Sequence, residues 1–263
     1  MTQNSKKTDS DMMFAEERKL KILEFIEDKR KATVPQLSEL FSVSSATVRN
    51  DLRALEKSGL VTRTHGGAMV KGKTGFELDT NERKIRNPEA KRKIARKALE
   101  LVEDGDTVLL DAGSTTLELA RLLPQKKDLT VVTNDLEIGL VLQANDHIRT
   151  ILIGGLVRNN HHCTVGNLGS EMLQSLSVDK SFMGVNSFTL EKGATTPDLI
   201  QAESKKTMIS IANKVILLCD HTKFGKNSFI QFASLDSIDI LITDLLTDEY
   251  KNYLEERDID LLY

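Results

Sequence analysis

The chain has 263 residues, 40% hydrophobic and 29% charged, with two cysteines and a formal net charge of −3. That is apolar enough for a packed core and long enough for two domains, and it excludes a disulfide-stapled secreted module. No apolar run approaches the ~20 residues a membrane-spanning helix requires. The opening MTQNSKKTDSDM lacks the apolar middle of a signal peptide, so a cytoplasmic, membrane-free protein is expected.

The charge is unevenly spread. Residues 14–73 hold 12 Lys+Arg against 8 Asp+Glu, and residues 74–263 hold 22 against 29. A basic end on an acidic body fits a nucleic-acid module joined to something else. Residues 1–13 read as a disordered polar arm. Residues 14–30 are expected to form an amphipathic helix, with Leu20, Ile22, Leu23, Phe25 and Ile26 inward. VPQLSELF at 34–41 reads as a short helix, with Leu37, Leu40 and Phe41 apolar and a Ser42-Val43 corner after it.

Ser44 can cap a helix starting at Ser45, because its hydroxyl can accept a free N–H of the first turn. Val48, Leu52 and Leu55 give that helix one apolar stripe. Off the stripe lie Ser45, Thr47, Arg49, Asn50 and Arg53, a polar and basic face suited to base edges in the DNA major groove. Gly59 stops the helix. Residues 60–71 read as a hairpin in which Gly66-Gly67 supplies a turn with positive φ. Helix, corner, helix over 34–57 is a helix-turn-helix arrangement; an ordinary helix pair with a solvated basic face has the same spacing. In the first reading Arg63, His65 and Lys71 would touch DNA phosphates.

VSSATVRNDLRALEKSGLVTRTHGGA resembles the signature of the DeoR family of bacterial transcription regulators. Asn50 stands where that family usually carries a second Arg. The resemblance implies a winged helix-turn-helix over residues 14–71 that binds operator DNA.

Residues 72–88 read as a linker, with ELDTNERKIRN partly helical. EAKRKIARKALELVEDGD then reads as a helix ending at Gly105. Beyond it short apolar strands (107–111, 129–133, 150–155, 180–185, 214–220, 238–244) alternate with helices (114–123, 135–143, 168–176, 199–213). This is the pattern of an α/β domain over 89–263 with a doubly wound, mostly parallel sheet covered on both faces. DAGSTT at 111–116 is a strand end, a Gly-Ser-Thr-Thr turn and a helix start. It is either a phosphate cradle of N–H groups and hydroxyls or a plain helix cap. Asn134, Gly155 and Asn186 follow other strands, and strand ends of this kind share one edge.

LDAGSTT, VTND, IGG, FMGVNS, TTPD, AESKK and CDHTKFGK also match, in order, landmarks of the DeoR-family sensor domain, so the resemblance spans residues 14–262. It implies a fold similar to ribose-5-phosphate isomerase and a phosphorylated sugar as effector. Gly113, Ser114, Thr115 and Thr116 would hold the phosphate. Asp111, Asn134, Gly155, Arg158, Asn186, Asp198, Glu203, Lys205 and Lys223 would line the sugar. It also implies a sugar-operon repressor released by its inducer, acting on double-stranded DNA as a dimer or tetramer. The competing reading is an isomerase with an accessory nucleic-acid module, in which Glu203 and Lys205 would be base and cation; the same residues fit a solvated helix face. Neither a cofactor nor a metal is expected. Adjacent His161, His162 and Cys163 converge poorly on one ion and are read as a loop bordering the pocket, Cys163 being a candidate reactive thiol.

Overall fold

The computed structural model describes residues 15–29, 31–70 and 77–263. The expected arm 1–13, and Lys71, lie outside them. The chain divides into two units, residues 1–73 and 74–263.

The first unit contains α1 (Ala15–Lys29), β1 (Lys31–Thr33), α2 (Val34–Leu40), α3 (Ser45–Lys57), β2 (Val61–Thr64) and β3 (Gly67–Val70). Thr33 and Gln36 close a reciprocal cap on α2, with Pro35 in its first turn. The Ser44 hydroxyl accepts the Thr47 N–H at 3.1 Å and starts α3. Ile22, Leu23, Ile26, Leu37, Val48, Leu52 and Leu55 are buried, while Leu40 faces solvent. Arg18 reaches from α1 to the buried Asp51 of α3 at 2.7 Å. Gly59, at φ 77°, ends the helix.

The hairpin differs from expectation. Its turn is His65-Gly66, and neither Gly66 nor Gly67 takes a left-handed φ. Gly67 opens β3, which lies between β2 and β1 in a three-stranded antiparallel sheet. A Cβ there would stand 2.0 Å from the Ala32 carbonyl oxygen. Close approach of β1, a strand too short to show periodicity, explains this glycine.

The second unit runs through α4 (Thr80–Ile85), α5 (Pro88–Glu100), β4 (Thr107–Leu110), α6 (Ser114–Ala120), β5 (Leu129–Thr133), α7 (Leu136–Leu142) and β6 (Ile148–Leu152). It continues with β7 (Leu156–Arg158), β8 (Cys163–Val165), α8 (Asn167–Gln174), β9 (Val178–Gly184), β10 (Ser187–Thr189), β11 (Gly193–Thr196) and α9 (Leu199–Ser210). It ends with β12 (Ala212–Leu218), β13 (Ile230–Ala233), β14 (Ile240–Ile242), α10 (Asp248–Glu255) and β15 (Asp260–Leu262). Seven strands form one sheet in the order β15-β14-β12-β9-β4-β5-β6, every pair parallel.

Both faces are covered. Val108, Leu110, Val131, Phe182 and Ile216 share a core with Ile94 of α5, Leu117 of α6 and Ile138 of α7. The alternate residues Leu109, Val132, Met183 and Leu217 share the other with Leu173 of α8, Met208 of α9 and Leu254 of α10. The expected helix to Gly105 stops at Glu100. The acidic residues after it bind backbone instead, with Asp106 accepting the Glu103 N–H and Asp104 the Lys127 N–H, both at 2.8 Å. The β7–β8 hairpin and the small β10-β11-β13 sheet were not anticipated. Their strands have only three or four residues, too few to show a period.

Candidate functional site

The sheet order fixes where a ligand can sit. From β4 the chain winds outward through β5 and β6, then returns to the other side of β4 with β9, β12, β14 and β15. The winding reverses between β4 and β9, and the carboxyl ends of strands at such a point flank a crevice. A cavity opens there. Ala112, Gly113, Ser114 and Thr115 line it after β4, and Gly184, Val185 and Asn186 after β9. Gln201 and Lys205 reach it from α9, Asp220 and Lys223 from beyond β12, and Leu78, Arg83, Arg86 and Lys91 from the stretch that runs through α4 into the start of α5.

The turn after β4 leads directly into α6. No side chain caps α6, and the Leu117 N–H bonds the Gly113 carbonyl at 2.9 Å. The N–H groups ahead of it end the helix toward the cavity. The Thr116 hydroxyl turns away, donating to the Gly113 carbonyl at 2.8 Å.

The cations facing this turn are held by the fold. Lys205, 2% exposed, forms an ion pair with Asp111, which is 1% exposed. Its ammonium also donates to the Gly184 carbonyl at 2.9 Å and lies 4.7 Å from the Phe232 ring centre. Asp111 in turn accepts the Gly184 N–H at 3.0 Å, tying β4 to β9. Lys223 stands 3.8 Å from Asp220. Burial raises the Asp220 carboxyl, but Lys223, the Thr222 hydrogen bonds and Lys91 outweigh it and hold it down at about 2. Lys91 donates to the carbonyls of Arg83 and Arg86. Burial, reinforced by Lys223, pulls its pKa down to about 8.

A testable consequence is a pH dependence of folding. The unfolded lysine keeps its ordinary value near 10.5, so between about 8 and 10.5 the unfolded chain binds more protons. Stability must then rise with pH across that window. Relative to Lys91→Met, the wild type should gain on the order of 3 kcal/mol between pH 8 and 10.5. Urea unfolding of both proteins at the two pH values measures it, and parallel profiles would contradict the burial argument.

A second cluster surrounds Glu77. Its carboxylate accepts from Arg83 and Asn186, each at 3.2 Å, and from Arg158 at 2.9 Å. Burial pushes this carboxyl up, but Arg83, Arg158 and His161 outweigh that and leave it below the usual range. Arg158 also faces Asp198 at 3.7 Å.

The structure distributes the expected effector residues unevenly. Gly113, Ser114, Thr115, Asn186, Lys205 and Lys223 meet around one cavity. Asp111 lies behind Lys205, and Asp198 caps α9 through the Gln201 N–H at 2.7 Å. Asn134 is buried, donating to the Thr164 carbonyl at 2.8 Å. Gly155, at φ 146°, lets Val165 approach, since a Cβ would stand 2.6 Å from its carbonyl oxygen. Neither Asn134 nor Gly155 lines the cavity.

Glu203 is exposed and pairs with Lys206 at 3.0 Å. Residues two apart on a helix do not share a face, so the Glu203–Lys205 pair of the isomerase reading does not form. Cys163 is buried, and burial lifts its thiol to about 11, which removes the reactive-thiol reading. His161 stands 3.9 Å from Glu77, and His162 3.4 Å from Glu137. Among the described residues no cluster of three or more His, Cys, Asp or Glu can hold a metal.

Sequence reasoning missed Glu77, Arg83, Arg86, Lys91, Gln201 and Asp220. Four of these lie in or beside the stretch read as a linker, where charged residues at helical spacing look like a solvated face.

In the first unit, Arg49, Asn50 and Arg53 are exposed on α3, and Ser45 and Thr47 are half-buried. Arg53 donates to the Asn50 side-chain oxygen at 2.7 Å, and Ser44 and Thr47 share a hydroxyl contact at 2.8 Å. The Arg63 N–H bonds Glu56 at 3.2 Å, and His65 is exposed in the hairpin turn.

A DeoR-like helix-turn-helix domain matches residues 18–74, and a DeoR C-terminal sensor domain matches residues 86–245. The chain is 40% identical over 232 residues to the HTH-type transcriptional regulator GolR of Listeria innocua, covering 88% of this chain and 91% of that one. It is 36% identical over 259 residues to the HTH-type transcriptional repressor GlcR of Bacillus subtilis, covering 95% and 96%. A putative aga operon transcriptional repressor of Escherichia coli O157:H7 is 31% identical over 230 residues, covering 87% and 86%. A ribose 5-phosphate isomerase from Methanocaldococcus jannaschii overlaps 52% of this chain and 55% of its own, with a TM-score of 0.39 at 19% identity; so partial an overlap says nothing of activity. No helix among the described residues is long and apolar enough to cross a membrane. With both domain models matched in order and relatives aligned along most of the chain, the protein belongs to the DeoR family of DNA-binding transcription regulators and is not an enzyme.

Proposed function

We propose that this cytoplasmic regulator represses a sugar-utilisation operon and leaves its operator when a phosphorylated sugar fills the cavity. The observation that carries this is the Ser114-Thr115 turn, facing Arg83, Arg86, Lys91, Lys205 and Lys223 where the sheet's winding reverses. Counting Arg158, six cations surround the site, against the carboxylates of Glu77, Asp111, Asp198 and Asp220. The surplus of two positive charges suits one phosphate dianion. Asn186 and Gln201 supply neutral hydrogen-bonding groups for hydroxyls beside it. Two of the relatives named above are described as repressors, which supports that direction of control.

At the other end, α3 enters the major groove, with Arg49, Asn50 and Arg53 toward the bases. Ser45 and Thr47 belong to the same face, Ser44 caps its start, and Arg63 and His65 of the hairpin lie toward the phosphates. One helix contacts too few base pairs for a strong site, so a dimer or tetramer reads paired half-sites. Ligand binding must favour one arrangement of the DNA-binding units over another to change operator affinity.

A mobility-shift assay on the protein's own upstream DNA, with and without a panel of sugar phosphates, tests the reading. Retention at modest ionic strength and release by one of the panel support it. No retention under any condition refutes it. In the same assay Arg49→Ala should cost about 1–3 kcal/mol on the operator if the side chain reads a base. An equal loss on random duplex would reassign Arg49 to the phosphate backbone.

A further inference from the structure

Glu77 is surrounded by more donors than it uses. Arg83 and Asn186 share one of its oxygens and Arg158 takes the other. Yet Arg83 Nε, Arg158 Nη1 and His161 Nδ1 are buried beside it without a hydrogen bond. Buried polar nitrogens are normally paired, so three left over around one carboxylate call for an explanation. Arg83 and Asn186 also line the cavity that contains the Ser114 turn. Glu77 itself lies near the start of the second unit, close in sequence to the segment leading back to the DNA-binding unit.

We propose that Arg83, Arg158, His161 and Asn186 form a second anion subsite that adjoins this cavity through Arg83 and Asn186, filled by Glu77 until an anionic group of the ligand takes its place. This rests on the cavity being a ligand site. The ligand class it implies is a sugar phosphate carrying a second anionic group, either a carboxylate or another phosphoryl group. With Glu77 expelled the surplus positive charge rises by one, matching a carboxylate or a singly charged phosphoryl group.

The test uses the full chain carrying Glu77→Ala, melted in sodium formate or in sodium chloride of equal ionic strength. Formate is a carboxylate small enough to fill the emptied place. About 50 mM formate should raise the Tm of the variant by roughly 3 °C over chloride and leave wild type unchanged, as expected for a ligand that binds only the native state. Adding Arg158→Met should abolish the rise. If Glu77→Ala does not fold, Glu77→Ser, which also empties the place, is melted in the same two salts under the same criteria. Identical curves in formate and chloride overturn the proposal.

Inorganic phosphate separates this result from the reading of the Ser114 turn. Stabilisation of wild type by phosphate, lost in Ser114→Ala with Thr115→Ala, but no formate rescue, refutes the second subsite alone. Formate rescue without any phosphate effect refutes the sugar-phosphate reading and leaves a carboxylate subsite standing. In Glu77→Ala combined with the Ser114 and Thr115 changes, the stronger of formate and phosphate identifies the group the subsite takes.

Discussion

Lys205→Met is expected to destabilise the 74–263 unit by about 3–5 kcal/mol, because it leaves Asp111 charged and unpaired in the interior. Asp111 is 1% exposed, and its remaining partner is the Gly184 N–H. For a unit of this size the loss should lower its Tm by roughly 10 °C. Because the chain has two units, the transition to follow is that of the larger one. Adding Asp111→Asn should recover more than half of the loss, since the stranded charge is then gone. The chief cost of a buried pair is the orphan left behind. A single variant within about 1 kcal/mol of wild type would show that Asp111 takes up a proton or reaches solvent, and the rigid cation assigned to the cavity would have to be given up.

The second large effect is on ligand response. Ser114→Ala with Thr115→Ala removes the hydroxyls of two cavity-lining residues assigned to the proposed phosphate. Hydrogen bonds to a charged group contribute about 1.5–3 kcal/mol each. The pair should therefore raise the sugar-phosphate concentration needed for operator release by roughly a hundredfold or more. Operator affinity without ligand should not change, because neither residue belongs to the DNA-binding unit. Circular dichroism controls for the fold of α6. Release at the wild-type concentration would place the phosphate elsewhere.

How much of this was legible in the sequence varies with the physics behind each signal. The parallel sheet was readable because buried strands such as Thr107–Leu110 and Leu129–Thr133 are short apolar runs between helices. The recognition helix was readable because Ser44, the Val48-Leu52-Leu55 stripe and Gly59 state its start, face and end independently. Single-position glycines and motifs at strand ends also marked the edge where the cavity lies.

What was hidden depended on distance in the chain. Nothing local distinguishes Glu77 from a solvated glutamate, since its burial comes from Arg158 and Asn186, 81 and 109 residues away. Lys91 reads as one more basic residue on a charged helix until α5 is packed. Glu203 was misplaced for the opposite reason. A motif supplies residue types, and the helical angle between positions 203 and 205 decides which one faces inward. Asn134 and Gly155 stand at strand ends as expected, but their contacts with Thr164 and Val165 of β8 depend on the β7–β8 hairpin, which no local signal announces.

The division of labour on α3 has an evolutionary consequence. Val48, Leu52, Leu55 and the Arg18–Asp51 pair dock the helix, and Gly67 lets the neighbouring strand close over the hairpin. The outward positions 49, 50 and 53 carry none of that burden. They are free to drift, so paralogues could acquire new target sites by a few surface changes while inheriting the same scaffold intact.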